Sequence, residues 1–305
     1  MNGLELAEAY YNEYGRKMLA DDFSDIADSI AVGLIGSGSE CMRYDDGVSQ
    51  DHDFEPGFCI FVNDDIDSRT EFRLERAYAK LPDEFMGFRR QRLSPVGGNR
   101  HGVIKLSGFV ESRTGSKTGE LTMRQWLFVQ EQSLIEITNG KVFADGSGVL
   151  TSIRDRLKYM PEDIRNKKLA GHLLMMAQAG QYNYYRARKR GDEGAALLAL
   201  HEFATSGIHA VYLLNNRYMP YYKWAFRGMR DIGIMSEEAD TFVSILKGAE
   251  NAGDLVEGIA EQVIAELKRQ GLTDATCGDL EKHAYSVNDR VKSGEIRNMS
   301  IFAGV

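Results

Sequence analysis

A chain of 305 residues, 43% hydrophobic and 27% charged, has the composition of a globular protein with room for two ordinary domains, which excludes a fibrous or disordered chain. Its formal net charge of −8 argues against general nucleic-acid binding, whose footprint is a basic surface. Three cysteines, Cys41, Cys59 and Cys277, leave an odd thiol and no disulfide framework, and with no basic leader and no eighteen-residue apolar run the expectation is a cytoplasmic protein without a membrane anchor.

In chain order, Leu4, Leu6, Ala7, Tyr10, Tyr11, Tyr14 and Met18 recur close to the helical period over residues 3–20. Apolar runs predict strands at about 30–35 and 56–63, and residues 69–80 predict an amphipathic helix stopped near Pro82. Ser94-Pro95-Val96-Gly97-Gly98-Asn99-Arg100 is turn chemistry, and residues 103–110 read as a strand. From Thr122 the pattern turns helical. Residues 126–129 and 134–137 suggest a helix ended by Asn139-Gly140, an αL-tolerant stop, and 142–146 a short strand or turn. Helices are predicted at about 149–158, 161–178, 192–217, 219–231, 236–248 and 252–270, with Pro161 and Pro220 where two of them begin. The change of pattern sets two domains, 1–147 and 148–305.

The chemistry concentrates in residues 30–54. A first strand ends in Gly36-Ser37-Gly38-Ser39, and Asp51-His52-Asp53 leads into the second. On a strand the period of two puts the Asp51 and Asp53 carboxylates on one face, hard oxygen donors suited to Mg²⁺ or Mn²⁺. A Gly-Ser turn offers close backbone N–H groups to a phosphate, with Gly36, Ser37 and Ser39 as its contacts. The same residues lack the third glycine of a dinucleotide fingerprint, a Gly-Lys-Ser/Thr, and the acid order of a calcium loop. A plain surface turn rich in Ser and Asp is the alternative.

A second block, residues 213–224, sets Arg217 and Lys223 among Tyr218, Tyr221, Tyr222 and Trp224. Such a group can hold a triphosphate and stack a base, or pack as core with Lys223 reaching outward. Arg186, Arg188, Lys189 and Arg190 read as a solvated cationic loop before a helix. His172, His201 and His209 fall on helical stretches without metal-ligand spacing.

The spacing of Ile35-Gly36-Ser37 and Asp51-His52-Asp53 resembles the signature of the DNA polymerase beta-like nucleotidyltransferase superfamily. His52 stands where that signature has an apolar residue. More closely, these segments together with 139–145, 159–163, 178–183 and 218–224 resemble an uncharacterised bacterial family of nucleotidyltransferase-like proteins, a domain of unknown function in which Asp-His-Asp is the expected form. The resemblance implies an α+β protein, a nucleotidyltransferase-type mixed sheet with flanking helices followed by a helical domain, similar in plan to the aminoglycoside nucleotidyltransferases. It implies Asp51 and Asp53 as metal ligands and catalytic acids, Lys223 as a cationic clamp, and a third acid, ranked Asp145 first with Glu136 and Glu111 behind it. The implied activity is transfer of a nucleoside monophosphate, AMP from ATP above others, to a hydroxyl or amine of a small molecule or protein. A catalytically inactive nucleotide-binding regulator is the alternative.

Overall fold

The computed structural model describes residues 1–48, 54–90 and 100–305. It is a mixed α/β protein, about 60% helical, with a small mixed sheet of four strands. Two compact units divide it, Met1–Leu121 with Ser133–Lys158, and Thr122–Gln132 with Tyr159–Val305.

The first unit opens on α1 (Gly3–Tyr10), held by a capping box in which Asn2 and Glu5 each accept the other's backbone N–H. A π-helical turn, Tyr11–Gly15, carries it into α2 (Arg16–Asp22). Then come β1 (Ile30–Leu34), β2 (Cys59–Val62) and α3 (Ser68–Ala79), whose N-cap Asp67 accepts two backbone N–H groups. A small hairpin, β3 (Glu84–Phe85) and β4 (Phe88–Arg89), turns at Met86 and Gly87, both at positive φ as a two-residue I′ turn requires. Next are β5 (Gly102–Lys105) and α4 (Leu106–Thr114). The predicted strand over 103–110 therefore stops halfway. Leu106, Phe109 and Val110 are all buried, the i, i+3, i+4 spacing of a helix face, and Gly115 ends the helix at φ 73°.

After α5 (Met123–Phe128) and α6 (Glu131–Thr138), β6 (Lys141–Asp145) returns to the sheet and α7 (Val149–Leu157) follows. The strand order is β5-β2-β1-β6. β1 runs antiparallel to β2 and to β6, while β2 and β5 are parallel. Phe58, Ile60 and Val62 join one core with Tyr10, Tyr11, Leu74 and Tyr78. Phe61 meets Phe109 of α4 edge to face, centroids 5.0 Å apart. Covered on both sides, β2 reads as an unbroken apolar run.

The second unit continues with α8 (Glu162–Met176), whose π-helical extension Ala177–Tyr184 leads directly into α9 (Tyr185–Lys189). The expected cationic loop at 186–190 is thus mostly the end of a helix. The remainder is α10 (Glu193–Leu214), α11 (Tyr222–Arg230), α12 (Ala239–Leu246), α13 (Ala252–Arg269), α14 (Leu280–Asp289) and α15 (Gly294–Asn298). α10 is long and apolar enough to cross a membrane by length and composition, but 67% of that window is buried within the protein, as befits a core helix.

Ionisable groups sit inside this helical core. The His172 and His209 rings stack with centroids 4.5 Å apart and planes 5° from parallel. The Nδ1 of each is buried without a hydrogen-bond partner among the described residues. Burial, then His209 and Lys168, hold His172 well below the ordinary histidine value; burial also lowers His209, with Glu131 opposing and Lys168 adding. The sign follows from linkage. Below the ordinary value of about 6.5 the unfolded chain takes up protons that these folded side chains refuse. Their stabilisation is therefore complete above that value and is lost as pH falls through it toward the depressed folded values. Urea stability should fall between about pH 7 and pH 5, by up to about 1.4 kcal/mol per pH unit for each refused proton. His172→Phe should flatten that slope; an unchanged slope would assign the acid sensitivity elsewhere.

Candidate functional site

β1 runs into a turn at 36–39 whose backbone only glycine adopts readily, Gly36 at φ 130° and Gly38 at φ 129°. Asn139, just past α6, clamps the turn from one side. Its Oδ1 accepts the Gly36 N–H at 3.1 Å and its Nδ2 donates to the Gly36 carbonyl at 2.7 Å. From the other side Arg100 Nη2 donates to the Ser37 carbonyl at 2.6 Å and pairs with the Glu40 carboxylate. Held this way, the turn leaves the N–H groups of Ser37, Gly38 and Ser39 donating to none of the described residues, and the Ser37 and Ser39 hydroxyls likewise unbonded. Consecutive N–H groups that a turn leaves over in this way are the kind of donors that bind anions.

At the foot of the turn, Gly140 N–H donates to Cys41 O at 2.8 Å. The Glu40 carboxyl is pushed up from its ordinary value by burial, which outweighs the opposing pull of Arg100. Burial likewise pushes the Cys59 thiol up to about 12 and Cys41 well above its ordinary value. A raised pKa of this origin is that of a buried thiol packed in apolar surroundings.

Asp51, His52 and Asp53 lie outside the described residues. The residue that follows them does not. Phe54 is buried, and a methyl group placed on Gly3 would meet both Glu40 and the Phe54 ring. With Gly33 paired to Cys59 across β1 and β2, the chain leaving residue 53 enters the sheet at the end where the 36–39 turn stands. Glu55 and His101 meet at 3.1 Å on the same approach.

Asp145 is not brought to that end. β6 is antiparallel to β1, pairing Lys141 with Leu34 and Asp145 with Ala31, so Asp145 lies roughly 15 Å from Gly36 at about 3.3 Å of rise per residue. There its Oδ2 accepts the Thr151 N–H at 2.8 Å at the start of α7, while its Oδ1 is buried without a partner among the described residues. Glu136 is on α6 and pairs with Arg113 at 3.1 Å; Glu111 is exposed on α4. Lys223 and Arg217 belong to the second unit. Both are exposed. The Lys223 ammonium stands 5.3 Å from the centre of the Trp224 ring, and the Arg227 guanidinium 5.9 Å from it. Tyr218 is pushed above the ordinary tyrosine value by burial and by Glu131, and Tyr221 and Tyr222 lie exposed with ring centres 4.3 Å apart. Tyr218 is half-buried and Lys223 faces outward.

The sequence reading passed over Glu40, Arg100 and Asn139 as functional groups. Asn139-Gly140 carried a helix-stop signal that located the residue but not its side-chain role.

Among known families, residues 126–225 match the one described as Domain of unknown function (DUF4037). That stretch holds Asp145, Arg217 and Lys223 and ends beyond the start of α11; it leaves out the 36–39 turn and Asp51-His52-Asp53. No curated protein matches the chain.

Proposed function

We propose that the chain binds a nucleoside triphosphate, ATP before others, at the 36–39 turn together with Mg²⁺ or Mn²⁺, and transfers the nucleoside monophosphate to a hydroxyl or amine of a small molecule or protein. The observation that carries this reading is the turn itself: three successive backbone N–H groups without partners among the described residues, braced on both sides. The four-stranded mixed sheet with flanking helices is compatible with the nucleotidyltransferase-type arrangement, which we adopt as part of the proposal.

Asp51 and Asp53 would hold the metal as hard oxygen donors, and the metal would supply neutralisation of the triphosphate charge. The chain's own residues do the rest. Ser37, Gly38 and Ser39 present N–H groups to phosphate oxygens, the two serine hydroxyls add further donors, and the Asn139 clamp keeps the turn from relaxing. Since phosphoryl-type transfer rests on positioning and charge stabilisation, such a rigid cradle is the right kind of contribution. Lys223 and Arg217 are assigned to the nucleotide as cations among aromatic faces. Lys223→Ala should weaken Mg·ATP binding by about 1.5–3 kcal/mol, the range for a hydrogen bond to a charged group, with little effect on adenosine. Unchanged binding and a lower melting temperature would instead assign Lys223 to packing on Trp224.

The test is time-dependent pyrophosphate release from ATP and Mg²⁺ over a panel of hydroxyl and amine acceptors. A second reading, a non-catalytic nucleotide-binding regulator, is favoured by the placement of the acids. Asp145 stands at the far end of β1 and Glu136 is tied to Arg113. Tight Mg·ATP binding without pyrophosphate release under any acceptor would select it.

A further inference from the structure

The arginine beside the turn is placed where a phosphate needs a cation, and it already holds an anion. Arg100 Nη2 reaches the Ser37 carbonyl, and any Cβ added at Gly38 would collide with that same nitrogen and with both Glu40 carboxylate oxygens. The guanidinium and the carboxylate thus lie directly against the glycine turn, on the side where a Gly38 side chain would stand. Their side chains are 23% and 12% exposed, so the pair is sheltered but reachable from one side. A guanidinium offers five donors in a planar fork that matches phosphate as well as carboxylate.

Glu40 is the less comfortable partner. It is a mostly buried carboxylate on a short 3₁₀ turn, Glu40–Met42, and burial raises its affinity for a proton even with Arg100 against it. Asp45 acts on it in the same direction, while His101 acts with Arg100. A carboxylate kept in so costly a place, beside a turn whose three N–H groups donate to none of the described residues, has the position and charge of a stand-in for a phosphate.

We propose that Arg100 is a phosphate-contact residue of the 36–39 turn and that Glu40 is its displaceable resident counter-ion, vacating the guanidinium when a polyphosphate arrives. The inference rests on the triphosphate reading. It makes a demand that a structural brace does not: removing the two partners of one ion pair must change affinity in opposite directions.

Titration calorimetry of the full chain with Mg·ATP, and separately with inorganic tripolyphosphate, tests it. Arg100→Ala should weaken both by at least about tenfold, the lower end for a charge-assisted hydrogen bond, and Arg100→Lys should recover part of the loss. Glu40→Gln, which keeps the shape and removes the charge, should tighten both several-fold. Should both variants weaken binding in parallel while melting earlier, the pair is a structural brace and the inference is overturned. Full affinity in a folded Arg100→Ala overturns it too, while leaving the triphosphate reading intact. Failure of the unaltered chain to bind either probe sinks the reading and the inference together. If Arg100→Ala does not fold, the sign of the Glu40→Gln effect still decides.

Discussion

Lys167→Ala should lower the stability of the protein by on the order of 3–5 kcal/mol, among the largest effects any single side chain here can produce. Lys167 is fully buried. Its ammonium donates to Asn288 Oδ1 at 2.9 Å, to the Arg297 carbonyl at 3.1 Å and to the Met299 carbonyl at 2.8 Å. All three of its donors are spent on neutral acceptors drawn from α14 and the end of the chain. Burial lowers its basicity, yet three short hydrogen bonds are a reasonable substitute for hydration. Truncation removes the donor, strands the acceptors and opens a void, and with total stabilities of about 5–15 kcal/mol the second unit would be marginal. Lys167→Met, which refills the volume, should recover only the packing share. Urea denaturation of the three proteins separates the shares. A loss below about 1 kcal/mol for the alanine variant would mean that water replaces the ammonium without strain.

Asp53→Asn and Asp51→Asn should each reduce pyrophosphate release by on the order of 10³-fold. Losing a metal ligand forfeits several kcal/mol of charge stabilisation, at about 1.4 kcal/mol per factor of ten. Metal-dependent ATP binding should fall with it while the chain still unfolds cooperatively in urea, because an amide of the same shape removes the charge without opening a void. Calorimetry with and without Mg²⁺ gives the binding arm and a coupled pyrophosphate assay the kinetic arm. Two asparagine variants that bind Mg·ATP as the unaltered chain does would end the nucleotidyl-transfer reading.

What could be read from the chain was what local signals carry. The strands at 30–34 and 59–62 follow from apolar runs, and α3 from its periodicity together with the Asp67 cap. The stop at Gly140, at φ 62°, is the αL position that Asn-Gly announces. Where two local patterns compete, as in 103–110, the last three residues of a strand and the helix face that follows read as one strand. Arg100 meets Glu40 across sixty positions of sequence, and no periodicity announces such a pair. Asp145 lies away from the turn for a topological reason. The antiparallel return of β6 along β1 puts the last residue of the strand, not the first, at the far end from the turn.

The acceptors of Lys167 also set a clock. The Met299 carbonyl lies 132 positions downstream of the ammonium it satisfies, and a side chain at Gly171, one helical turn beyond Lys167, would strike Ile301 and Val305. At about 5–20 residues per second of synthesis, α8 waits on the order of ten seconds or more with its lysine wet and the neighbouring apolar stripe uncovered. The helical unit therefore cannot close until the segment from Arg297 to Val305 has left the ribosome. Until then the nascent chain presents the kind of surface that holdase chaperones engage, so depleting those chaperones should cost yield of this protein far more than slowing its ribosomes would.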